Sequence, residues 1–250
     1  MSASAKNNNN NRIDFAFIRK AALEGVVIFI AVILGFFADD LREKLTIENQ
    51  KNDVLLIIHA DLQQDIQLFE QLGQSFALSA KSGLYVYQTA ENPAQWRASP
   101  ELEKRILSLL SGSPIKQNRA GYESAKAQNL LTQIDDPQLQ RRLGGYYEST
   151  SKHMTTVNEM LIQLFLTMVD DLTPALEFQS TASDIDFGSI KRFNDISSAE
   201  LTRLRASIYN FLTFARLHAA QFHYFANQMK EIRDQVEDEL RQNGISLPVK

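Results

Sequence analysis

SSAELTRLRASIYNFLTFARLHAAQFHYFANQMKEIRDQVEDELRQNG, residues 197–244, is the stretch whose reading decides the fold. Its inward positions are Leu201, Leu204, Ile208, Phe211, Ala215, His218, Phe222, Phe225, Met229, Ile232 and Val236. They advance by three and four residues in strict alternation. That spacing keeps side chains on one face of a helix and predicts a long helix packed in a bundle. Ser197-x-x-Glu200 is a capping box that opens the helix. Asn243-Gly244 closes it, with Pro248 just beyond. Arg216, His218, Gln221, His223 and Asn227 exclude this segment as a membrane span.

The same grammar recurs upstream. Asp136-Pro137 reads as a helix start, and Leu143, Tyr147, Thr150, Met154, Val157, Leu161, Leu164 and Met168 follow with a 4-3-4-3 alternation, the seam of a packed helix. Gly144-Gly145 interrupts good helix formers and marks a point of bending. The dense run Met160 to Val169 is only ten residues, too short to span a bilayer. A further helix is expected over Tyr122–Ile134. Ser99-Pro100-Glu101 opens a shorter one, with proline at the first helical position, that ends at Ser111-Gly112-Ser113-Pro114. Leu55, Ile58, Leu62, Ile66, Phe69, Leu72 and Phe76 make an amphipathic helix that Gly83 and Glu91-Asn92-Pro93 break. Residues 179–196 lack periodicity and read as a loop, with one short helix at most. The fold class expected is all-α: an elongated antiparallel bundle over residues 39–244, with the loop at about 179–197 and a short tail at 245–250. No repeat of solenoid period is visible.

Composition narrows the function. The chain has 250 residues, no cysteine and a formal net charge of −4. The missing cysteine excludes disulfides, thiolate metal sites and thiol nucleophiles. The acidic balance argues against a nucleic-acid partner, which would need a basic face. Ten glycines and six prolines are few, and none forms the Gly-rich phosphate cradle of nucleotide-binding loops.

The N-terminal region differs from the rest. Residues 1–20 read as a disordered tail that is polar (Asn7 to Asn11 are all asparagine) and basic (Lys6, Arg12, Arg19, Lys20). Ala21 to Ala38 then gives 18 residues with a single charged group, Glu24. At 1.5 Å per residue this spans roughly 27 Å, enough for a bilayer core. A transmembrane helix over 21–38 is therefore expected, ended by Asp39-Asp40 and Arg42-Glu43-Lys44. A cleaved leader would need a small-x-small exit, and Gly35-Phe36-Phe37-Ala38 is a poor one. Ala21, Glu24, Ile28, Ala31, Gly35 and Ala38 share one side of this helix. Ala31-x-x-x-Gly35 is a small-xxx-small pair that lets a second backbone approach, so Glu24, Ala31, Gly35 and Ala38 are the expected helix–helix interface. Glu24 reads in two ways: a carboxylate snorkelling to the interface, or a buried carboxylate at the helix contact. Arg19 and Lys20 abut the span, which favours a cytoplasmic N-terminus and an extracytoplasmic domain.

The stretch Glu24–Glu43, EGVVIFIAVILGFFADDLRE, resembles the opening of an uncharacterised bacterial family of small single-span membrane proteins, classed as a domain of unknown function. The features carrying the resemblance are Glu24, Ala31, Gly35, Asp39-Asp40 and Glu43. Tyr122–Tyr147 is similar too, through Leu130-Leu131, Ile134, Leu139 and Tyr146-Tyr147. Leu41 stands where the family often has tryptophan. The resemblance implies bacterial origin and location in the inner (cell) membrane, and it carries no activity.

Chemistry-bearing residues are sparse. The histidines are His59, His153, His218 and His223, and no Glu-x-x-His or His-x-x-x-His pair occurs. His218 occupies a core position, as a hydrogen-bonded core residue or as a pH-responsive or ligand-contacting group beside Phe222 and Phe225. No nucleophile elbow flanks a serine. The function expected is a membrane-anchored, non-enzymatic scaffold or accessory subunit that self-associates and meets a protein partner, without cofactor or metal. A sensor-like domain binding a small ligand between its helices is the alternative, and an enzyme comes third.

Overall fold

The computed structural model describes residues 15–92, 100–110, 115–178 and 190–247, apart from the side chains at 15–19, 21, 22 and 191. The expectations for Asn7–Asn11, Pro93, Ser99, Ser111–Pro114 and Pro248, and for most of the 179–196 loop, lie outside those residues.

The chain divides into two compact units, Met1–Gln50 and Lys51–Lys250. Helix α1 (Phe15–Thr89) contributes residues to both. In the first unit the helix begins at Phe15, inside the stretch expected to be tail. Every described side chain from Leu23 to Thr46 is exposed. Among the described residues no helix is long and apolar enough to cross a membrane. The span expected over 21–38 therefore finds no support in the fold itself. Its described apolar run is Gly25–Ala38, closed by Glu24 and by Asp39-Asp40.

The second unit is a helical bundle. It comprises α1 from Lys51 onward, α2 (Pro100–Leu110), α3 (Ala120–Ala127), α4 (Pro137–Leu172) and α5 (Ser198–Gln242). The α5 helix is central. Ser197 accepts from the Glu200 amide and Glu200 accepts from the Ser197 amide, closing the capping box. Gly244, at φ +77°, ends it in the left-handed region that glycine tolerates. Ten of the eleven inward positions are buried, and Phe225 is half-buried. Pairings to α1 run His59–Glu237, Gln63–Arg233, Glu70–Lys230 and Tyr87–Tyr209. Pairings to α4 run Arg142–Glu231 and His153–His218. In both sets the α5 number falls as the partner number rises, so α5 is antiparallel to each neighbour.

Three local expectations are corrected. Gly83 does not break α1, which continues to Thr89. A Cβ there would meet Leu212 and Ile208 of α5 and Leu109 of α2 at 3.7–3.9 Å. The roughly 1 kcal/mol that glycine costs a helix is offset by this close packing. The helix expected over Tyr122–Ile134 stops at Ala127, because Asn129 turns left-handed at φ 57° and a 3-10 turn (Leu130–Gln133) follows. The loop expected at 179–196 contains a strand: β2 (Ile190–Phe193) pairs antiparallel with β1 (Leu176–Phe178), with an irregular register at Glu177/Phe178. Strands of three and four residues are too short to leave a periodic signature.

Elsewhere the starts hold. Asp136 accepts from the Gln138 amide at 2.7 Å with Pro137 at the first helical position, and α4 runs unbroken through Gly144-Gly145. Leu161 and Leu164 are half-buried, and the other six seam positions are buried.

Candidate functional site

The structure brings His218, Phe222 and Phe225 into one aromatic cluster. Phe214 and His218 lie one turn apart on α5 with ring centroids 4.1 Å apart. His153 of α4 stands 6.0 Å from His218 and 5.4 Å from Phe225. From α1, Phe69 meets Phe222 and Phe225 edge-on at 5.7 and 6.2 Å, and Phe76 meets Phe222 at 5.2 Å. These are contact distances for packed aromatic rings, so the interior here is filled by side chains. His218 Nδ1 and His153 Nε2 are buried without a hydrogen-bond partner. Burial, with His153 adding to it, lowers the pKa of His218 from the usual 6.5; an interaction with Gln221 pulls the other way. Burial therefore disfavours the imidazolium form. A shallow depression lies elsewhere, lined by Lys51, Val54, Leu55, Ile58, Ala125, Leu130, Leu131 and Ile134.

The helix face of the first unit is open. Glu24, Ala31, Gly35 and Ala38 are all exposed, and a Cβ at Gly35 would meet nothing within 4 Å.

A third site was not foreseen. Asp61 and Asp65 stand one turn apart on α1 and together cap α3 from across the bundle. Asp61 Oδ2 accepts from the Gly121 amide at 2.8 Å. Asp65 Oδ1 accepts from the Asn118 amide at 3.0 Å and from Asn118 Nδ2 at 2.9 Å, and Oδ2 reaches the same amide at 3.2 Å. Helix N-termini leave amides unpaired, and here two carboxylates of another helix supply the acceptors. The approach is close: a Cβ at Gly121 would lie 2.8 Å from the Ile58 nitrogen and 2.9 Å from its Cγ1. On the other flank Tyr122 stacks on Tyr147 of α4, at 4.6 Å and 14°. Tyr147 meets Tyr146 edge-on at 4.9 Å. Tyr122 donates to Glu148 at 3.2 Å, and Lys126 pairs with Glu148 at 2.7 Å.

Asp65 has no exposed surface. Burial outweighs the Asn118 hydrogen bonds and pushes its carboxyl up to about 7, with the Asp61 charge adding to the rise. Burial likewise drives the phenols of Tyr146 and Tyr147 well above the usual tyrosine range. The hydroxyls of both, and both polar atoms of the Gln117 side chain, are buried without a hydrogen-bond partner. The sequence did carry a signal. Asp65 falls between Leu62, Ile66 and Phe69, so a carboxylate sits within an apolar stripe.

A fourth polar cluster lies where α1 enters the bundle. Lys51 is 1% exposed; its Nζ pairs with Asp135 at 2.7 Å and stands 3.9 Å from Glu239, which is 3% exposed. Glu239 also accepts from the Asp135 amide at 2.9 Å, and Asn243 bonds Asn52 at 2.8 Å. Among the described residues no group of three or more His, Cys, Asp or Glu could hold a metal ion. No protein-family model, curated protein or solved structure matches the chain.

Proposed function

We propose that this chain is a membrane-anchored helical module, a non-enzymatic scaffold or accessory subunit that self-associates through its anchor. One observation carries the reading. Leu23, Val26, Val27, Ile28, Phe29, Ile30, Val32, Ile33, Leu34, Phe36 and Phe37 are all exposed on one helix. Leaving such residues in water costs about 1.5–3 kcal/mol each, and contiguous apolar patches of that size mark membrane or protein contacts. The run is apolar on all sides, as a lipid-facing helix is. With Ala21 and Ala22 it reaches 18 residues and a single charge, roughly the thickness of a bilayer core. The described residues of 51–247 contain a hydrophobic core of their own.

The resemblance of residues 24–43 to a bacterial single-span family agrees with placement in the inner membrane. The basic residues before the span support a cytoplasmic N-terminus. The ring packing around His218 favours a scaffold over a ligand sensor.

Alkaline carbonate extraction of bacterial membranes carrying the full chain tests the anchor. The protein is expected to stay in the pellet and to move to the supernatant when Ile30 and Leu34 are both replaced by lysine. Extraction of the unaltered chain would overturn the reading. Crosslinking in membranes tests the assembly. Gly35→Ile is expected to abolish the oligomer, whereas replacement of Val32, off the Ala31/Gly35 face, keeps it. Equal crosslinking of both would leave the small-residue strip without a role.

A further inference from the structure

We propose that Asp65 and the residues facing it form a proton-operated latch, in which uptake of a proton by the buried carboxyl strengthens the docking of segment 115–134 on α1 and α4. This inference is independent of the membrane anchor.

The geometry supplies three requirements of such a device. The first is a titratable group out of contact with water, which Asp65 is. The second is a mechanical link from that group to another element of the bundle. Asp65 holds the backbone and side chain of Asn118, and Asp61 holds Gly121, so both carboxylates of α1 act on the start of α3. The third is somewhere for the acid proton to go. Oδ1 accepts from two Asn118 N–H groups at 3.0 and 2.9 Å, whereas Oδ2 has only the longer 3.2 Å contact with the backbone N–H, so Oδ2 is the seat of the proton. The Tyr146 hydroxyl and the Gln117 amide oxygen are buried in the same cluster outside hydrogen-bond geometry, with Gln117 close enough to act on the phenol. That Tyr146 belongs to it follows from the influence of the Asp65 charge on its phenol.

The surrounding charges do not neutralise an Asp65 carboxylate. On α1 the neighbour is Asp61, a like charge. From α4 come Tyr146 and Tyr147, neutral phenols, and Glu148, paired with Lys126. From the loop and α3 come Arg119, close to both Glu123 and Glu148, and Tyr122, bonded to Glu148. On α5, Arg233 and Lys230 are engaged with Gln63 and Glu70 of α1. No cation is dedicated to Asp65 among these groups, so ionisation places a second negative charge beside Asp61 in a dry interior.

The direction follows from linkage. With the segment docked, the carboxyl titrates at about 7; freed to water it titrates near 3.8. The docked state binds more protons between those values. Docking is therefore strongest below pH 4, weakens as pH rises toward 7, and levels off above it.

Hydrogen–deuterium exchange of residues 115–134 in the full chain, corrected for intrinsic rates, tests this. Protection is expected to be at least about tenfold lower at pH 8 than at pH 5, the effect of one unit of differential proton affinity. Asp65→Asn, which keeps an oxygen acceptor for Asn118 without a proton to lose, is expected to hold its protection across that range. A parallel infrared titration of the unaltered chain, labelled with carbon-13 aspartate, is expected to show a buried carboxylic acid band that disappears between pH 5 and 8. Equal pH dependence in the Asp65→Asn variant, or no such band, would overturn the proposal.

Discussion

Gly121→Ala tests the docking of α3 at its tightest point. The added Cβ would sit 2.8 Å from the Ile58 nitrogen, a backbone atom of a long helix that has no freedom to retreat. Relief must come from α3. Displacing it lengthens the Asp61–Gly121 hydrogen bond from 2.8 Å and disturbs the Tyr122–Tyr147 stack beside it. Overpacking of this kind costs about 1–3 kcal/mol. A hydrogen bond to a charged acceptor adds about 1.5–3 kcal/mol when lost. The sum, about 2.5–6 kcal/mol, corresponds to a fall in Tm of roughly 5–24 °C for a unit of this size. Gly145→Ala is the matched control. It lies within α4, a Cβ there meets nothing within 4 Å, and alanine in a helix gains about 0.5–1 kcal/mol over glycine. Thermal unfolding followed by circular dichroism at 222 nm, on the full chain in one detergent, reads both. Equal Tm values for the two variants would refute the close-approach argument, because only the contact with Ile58 distinguishes them.

Other outcomes follow from the same reasoning. Lys51→Met removes the cation 3.9 Å from Glu239 and leaves that buried carboxylate the Asp135 amide; loss of one partner of a buried pair costs up to about 3–5 kcal/mol, and urea unfolding should show a loss that shrinks when Glu239→Leu is added. Ser197→Ala removes the acceptor for the Glu200 amide and should lower stability by about 1 kcal/mol, a shift in urea midpoint without change of slope. His218, with its pKa held below the usual value, contributes stability above pH 6.5 that is lost as pH falls through its lowered folded value. His218→Gln should therefore lose less Tm than the unaltered chain between pH 7.5 and 5.5, opposite in sign to the effect of Asp65 over the same interval.

The long helices were legible because their information is repetitive. Ten heptad-spaced positions of α5 are buried where the alternation puts them, and a capping box and Asn243-Gly244 bound the run. The misreadings share one cause: a local signal overruled by a distant contact. Gly83 punctuates the sequence but packs against α2 and α5. Ile190–Phe193 carries too few residues to show a period, and its pairing with Leu176–Phe178 is not local. The grouping of His218, Phe222 and Phe225 followed from spacing on one helix. Its partners Phe69, Phe76 and His153 lie on two other helices, where spacing within α5 says nothing. The α3 dock was hidden for the same reason, since Asp61 and Gly121 are 60 residues apart.

What α3 lacks explains why carboxylates are placed beneath it. A helix of eight residues is far below the 12–15 at which an isolated helix becomes even marginal in water. It buries only Gly121, Tyr122 and Ala125, and glycine and alanine bring little apolar area. Its hold on the bundle therefore depends on polar contacts at its N-terminus and on one tyrosine stack. α5 is the opposite case, with seventeen buried positions, so no single charge can decide its place. A polar contact made in the interior is strong while both partners are matched and costly when they are not. Helix α3 is thus the element of the bundle least held by apolar burial of its own, and Asp65, buried and without a dedicated cation among the described residues, is the group through which a proton would act on it.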